Sequence, residues 1–127
     1  MQNKNPLSPH LQIYKWQISS LLSITHRIVG VINFFAITLI CLWTLTLLLG
    51  QNSYQTIQIF LNTIFGKFAV ISLCWTFSFH ILNEIRHLIW DVGYGFDLKI
   101  SKITGIIALV GSFVLTILFY FIGRNFF

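Results

Sequence analysis

From Ile28 to Leu49 the chain carries no charged residue. That run exceeds the roughly 20 residues a helix needs to cross a bilayer's hydrocarbon. Lipid offers no water to satisfy backbone N–H and C=O groups, so a spanning segment must close its hydrogen bonds as a helix or a barrel. Two more apolar stretches follow, from Lys67 to Trp90 and from Lys102 to Ile122. Only 9% of the 127 residues are charged and 56% are hydrophobic, against about 25% charged in soluble domains. The expectation is an all-α integral membrane protein, one transmembrane domain over 1–127, with spans near 21–49, 67–90 and 102–122 behind an N-terminal arm over 1–19. The net charge of +5 does not point to nucleic acid, because the basic residues are scattered beside the spans. Cys41 and Cys74 sit inside apolar runs and read as small buried hydrophobes rather than a disulfide or a metal site.

Pro6 and Pro9 make the start of the chain an extended arm. Tyr14, Lys15 and Trp16 look like an interfacial belt, and Ser19 or Ser20 suits a helix N-cap. Gly50 to Gln55 reads as a loop. Ile57 to Phe65 is either an interfacial segment or the lead-in to the second span. Asp91 to Asp97 is a turn-rich connection. The third span is apolar nearly all round; Gly105 and Gly111 suit close helix contact, and no chemistry is evident in it. Lys4, Lys15, Arg27, Arg86, Lys99 and Lys102 fall at one membrane side and Lys67 and Arg124 at the other, which predicts an inside N-terminus and an outside C-terminus. No secretory signal or Arg-rich transit segment precedes the first span; either the protein is synthesised in the compartment of insertion or a presequence has been removed, and Met1 favours the first.

Against this background the end of the second span stands out. At about 100° per residue, His80, Asn83, Glu84, His87 and Asp91 share one helical face, and Arg86 points roughly 120° away. Ionisable groups inside a span cost about 2.5–3.5 kcal/mol on insertion scales and usually face protein or a cofactor. His80 lies near mid-bilayer, roughly 16 Å from Asp91 at 1.5 Å per residue. In the first span Ser23, His26, Arg27 and Gly30 share a face. That patch is either a headgroup anchor or a site for a polar ligand. His80 is either a hydrogen-bonded helix contact or an axial haem ligand, a role commonly filled by histidine. These residues alone define a membrane subunit with an intramembrane cofactor or proton site. Two alternatives to a haem protein are a haem-free structural anchor and a proton-relay subunit using His80, Glu84 and His87.

Ser23-Ile24-Thr25-His26-Arg27, preceded by Pro6-Leu7-Ser8-Pro9-His10-Leu11-Gln12-Ile13-Tyr14, resembles the N-terminal signature of the succinate dehydrogenase cytochrome b subunits, the haem-binding membrane anchors of respiratory complex II. His80 to Asp91, followed by Gly93, resembles their second signature, His-x3-Gly-x-Arg-His-x3-Asp-x-Gly. The likeness covers the whole chain and departs at Asn5, Val29 and Glu84, the last replacing a small residue. It implies three spans packed on a second small anchor subunit, with iron–sulfur and flavoprotein subunits docked at the inner face. It implies haem b shared with that second membrane subunit, with His80 as axial ligand to the iron and with His26, Arg27, Arg86 and His87 as propionate contacts. It implies a ubiquinone site at Ser23 and Arg27, succinate itself being oxidised in another subunit. The implied location is the mitochondrial inner membrane, with the gene in the organelle, or a bacterial inner membrane. Within that reading Glu84, leaning back over the turn of His80, either accepts the second ring N–H of the iron-bound imidazole, directly or through water, or faces a partner-subunit cation or is protonated.

Overall fold

The computed structural model describes residues 15–126, with the side chains of 124–126 left aside. The expectations for the arm, Lys4, Pro6, Pro9, His10 and Tyr14 among them, lie outside the described residues. Four helices follow in order: α1 Ile18–Leu48, α2 Gln51–Asn62, α3 Ile64–Asp91 and α4 Leu98–Phe126. Among the described residues there is no strand. Three helices, α1, α3 and α4, are long and apolar enough to cross a membrane, as their charge-free runs require. At 1.5 Å per residue the 31 residues of α1 span about 46 Å, so its ends reach the headgroups. α3 is the central element and packs against α1, α2 and α4.

Two sequence readings change here. Gln17, not Ser19 or Ser20, is the N-cap of α1, with no side-chain cap bond. The segment expected as a loop after Gly50 is instead the helix α2. Only Gly50 breaks the chain, at φ 106°. The polar residues Gln51, Asn52 and Ser53 that follow it close their backbone bonds helically. Tyr54 and Gln58, one turn apart, bond to each other at 2.6 Å. Thr63 then caps α3 by accepting from the Gly66 N–H at 3.1 Å, which is the usual N-cap bond. Gly66 must be glycine, because a Cβ there would run into the Phe60 carbonyl and the Leu61 backbone.

The other end of α3 is a Schellman stop. Tyr94 N–H donates to Ile89 O at 3.2 Å and Gly93 N–H to Trp90 O at 2.8 Å, with Gly93 at φ 95°. The bundle is then closed by small groups rather than by a thick apolar core, since apolar side chains gain little by leaving lipid. A Cβ on Gly105 would collide with Leu22, and one on Gly111 would sit 3.1 Å from Leu82; both glycines serve the close contact expected of them. Leu22, Val29 and Phe79 form the buried apolar cluster, with Trp75 against it. Buried hydroxyls are satisfied inside their own helices: Ser78 donates to Cys74 O at 2.8 Å, Ser112 to Leu109 O at 2.6 Å and Thr116 to Ser112 O at 2.7 Å.

Candidate functional site

Pairing α1 and α3 brings the two polar patches together, although more than fifty residues of sequence lie between His26 and His80. The His26 and His80 rings stack, with centroids 4.4 Å apart and planes 11° from parallel. His87 lies one centroid step further, 5.4 Å from His26, and meets Trp90 edge-on at 5.1 Å. Gly30 makes room on α1, since a Cβ there would sit 3.4 Å from His80 Cε1. His80 Nδ1 is buried with no hydrogen-bond partner, which leaves Nε2 as the nitrogen facing outward.

Glu84 lies over His80 as helix geometry requires, but its bond goes elsewhere. Its Oε1 is 3.8 Å from His80 Nε2 and 3.0 Å from His26 Nε2. The first distance is too long for a hydrogen bond. The histidine nearest to Glu84 is thus His26 on α1 rather than His80 one turn away on its own helix. Even that approach is poorly aligned, since His26 Nε2 makes no hydrogen bond of good geometry. The Glu84 side chain is 51% exposed, on the outer face of the bundle.

Between the start of α1 and the end of α3 runs a cleft of about 320 Å³, lined by Ser19, Ser20, Ser23, Asn83, Arg86, His87 and Trp90. Ser23 stands exposed at its rim. Asn83 is fully buried at its base, with Nδ2 unpartnered. Arg27 is exposed and does not line the cleft.

Arg86 is 6% exposed and gives most of its donors to α4. Nη2 donates to Ser101 O at 2.8 Å and to Ser101 Oγ at 2.9 Å, and Nε donates to Thr104 Oγ1 at 3.2 Å. Nη1 reaches Asn83 Oδ1 at 3.4 Å, and the Trp90 ring lies 4.2 Å from Cζ. These partners hold Arg86 between α3 and α4. They also correct the reading of the third span as chemically silent: Ser101 and Thr104 are the receptor for this cation. Ser101, Thr104 and Gly105 fall within one turn, and that small, polar patch in an apolar helix was the signal available.

Fold and site together define a multi-pass membrane subunit with a histidine- and serine-lined site between two of its three spans. The model of the succinate dehydrogenase/fumarate reductase transmembrane subunit family matches residues 1–119. The chain is 44% identical over 118 residues to a succinate dehydrogenase cytochrome b556 subunit of Rickettsia felis, covering 93% of this chain and 92% of that one. It is 37% identical over 130 residues to a succinate dehydrogenase cytochrome b560 subunit of Reclinomonas americana, covering 96% and 88%. A mitochondrial inner membrane protein of Saccharomyces cerevisiae is 37% identical over 121 residues, covering 90% and 61%. The chain belongs to the succinate dehydrogenase/fumarate reductase transmembrane subunit family. It is a multi-pass inner-membrane protein and one subunit of a larger assembly.

Proposed function

We propose that the chain anchors a succinate dehydrogenase in the membrane, binds haem b through His80 and helps to form the ubiquinone site. The carrying observation is that α1 and α3 bring Ser23 and His87 to one cleft and stack His26 on His80, with His26 also in ring contact with His87. The donor set suits haem. His80 is a half-buried imidazole with Nε2 outward, Gly30 clears space beside it, and α1 carries His26, stacked on it, and Arg27. His80 would hold the iron; His26, Arg27 and His87 would face the propionates. Bound haem would supply a one-electron carrier.

Electrons from succinate arrive through the flavoprotein and iron–sulfur subunits at the inner face. Ubiquinone takes up two electrons and two protons to become ubiquinol. Ser23 donates a hydrogen bond to a quinone oxygen, and the Arg27 cation favours the negative charge that develops on it. A second small anchor subunit covers the outward faces of His80 and Glu84. The N-terminus is inside.

The test is a reduced-minus-oxidised optical spectrum of the purified complex, with its subunit composition. A b-type band with flavin and iron–sulfur partners supports the reading, and His80→Ala should abolish or weaken that band while His10→Ala leaves it. A normal band in the His80 variant overturns the ligand assignment. Partners without haem would make the chain a structural anchor, and absence of both would favour the proton relay.

A further inference from the structure

His26, His80 and Glu84 each offer a ligand atom within 4.8 Å of the other two. We propose that, in chains that have not received haem, these three residues bind a divalent transition cation of the zinc type, which then competes with haem for His80.

The donor set selects the ion. Two imidazoles and one carboxylate suit zinc, cobalt(II) or iron(II), whereas calcium and magnesium require a shell of oxygens. A tetrahedral ion with bonds of about 2.0–2.1 Å needs ligand atoms about 3.4 Å apart. The observed separations from Glu84 Oε1, 3.0 Å to His26 Nε2 and 3.8 Å to His80 Nε2, fall on either side of that value. His80 and Glu84 come from one helix at i and i+4, the spacing that sets two side chains over the same spot. The His26 ring must turn out of its stack on His80 for its lone pair to converge. Doing so gives up no well-aligned hydrogen bond of His26 Nε2.

The carboxylate supplies the reason to bind. Glu84 stands half exposed on a membrane-spanning helix, where an uncompensated charge is costly. A bound cation offsets it, with the fourth position left open on the exposed side. His80 Nδ1 is enclosed, so an ion or an iron approaching from outside meets the same Nε2 lone pair, and one excludes the other. Cation binding itself does not depend on the haem reading; only the competition does.

The experiment uses the full chain, produced haem-free and held in detergent. Cobalt(II) should bind at one site with the visible bands of a four-coordinate ion and be displaced by zinc. Glu84→Gln and His26→Ala should each bind cobalt at least about tenfold more weakly, because removing one of three ligands costs at least one decade in affinity, and Glu84→Gln should still take up haem. In the wild type, zinc at about ten times its own dissociation constant should raise the half-saturating haem concentration about tenfold. In Glu84→Gln the same zinc should leave it unchanged. X-ray absorption of the zinc-loaded wild type, which needs no variant, should show imidazole ligation. Undiminished cobalt binding in both variants, absence of imidazole ligation, or haem uptake indifferent to zinc would overturn the site. Cobalt binding in a chain that never takes haem would retain the site and sink the haem reading instead.

Discussion

Replacing Arg86 with Met tests what holds α4 to α3. The guanidinium makes three hydrogen bonds to Ser101 and Thr104 across the helix pair. Interhelical bonds in membranes average about 0.6 kcal/mol, so the clasp contributes about 2 kcal/mol. The Trp90 contact stays within α3 and is left out of that sum. Without the clasp Thr104 Oγ1 keeps its bond to Ile100 O at 3.0 Å and Ser101 O still accepts from Thr104 Oγ1 at 3.2 Å. Arg86→Met should therefore destabilise the chain by about 2 kcal/mol, roughly a thirtyfold change in the folding equilibrium. Graded unfolding in mixed detergent micelles, followed by loss of helix, reads that change. Arg86→Lys should recover only part of it, since a point ammonium cannot reproduce the fork. A double-mutant cycle with Thr104→Val isolates the pair and should give a coupling of about 0.6 kcal/mol. An unchanged unfolding midpoint in Arg86→Met, or zero coupling to both Thr104→Val and Ser101→Ala, would refute the clasp. If haem or quinone binding then changed at unaltered stability, Arg86 would belong to the ligand site instead.

Ser23→Ala and Arg27→Leu should cut succinate–quinone activity much more than succinate-to-soluble-dye activity, because the dye takes electrons from the peripheral subunits; full quinone activity in both variants would remove the site from these residues. Gly105→Val places a side chain against Leu22 and Arg86 and should cost about 1–3 kcal/mol by overpacking, read by the same unfolding assay. Gly93→Ala should cost roughly 1 kcal/mol, since φ 95° is open to glycine and strained for alanine. In a chain with Cys41 and Cys74 replaced by alanine, an impermeant thiol reagent should reach cysteines placed at Asn52 and Asn125 from outside and miss one at Asn3 in right-side-out vesicles; the reverse labelling would invert the membrane orientation.

Three spans were legible because the absence of charge over Ile28–Leu49 and its counterparts is a local property: lipid excludes charge and open backbone wherever the run falls. The turn-rich connection from Asp91 to Asp97 was legible for the same kind of reason, since its two glycines mark a break in the helix whatever surrounds them. The helix α2 was not, because Gln51, Asn52 and Ser53 have the same chemistry in a turn and in a helix lying at the bilayer edge. Which residues meet across helices is a different kind of fact. Helical periodicity places Glu84 beside His80 and says nothing about His26, yet His26 is the nearer partner by 0.8 Å, 3.0 against 3.8 Å. Periodicity turns Arg86 away from the polar stripe and leaves its destination open. Ser101 and Thr104 receive it because Gly105 lets α1 and α3 approach that one face of α4. Hydrophobicity along the chain thus determined that this protein crosses the membrane three times and that His80 and Glu84 must be covered. Only helix packing, set by where side chains are small enough for backbones to close, decided that Glu84 faces His26 and that Arg86 is bound by α4.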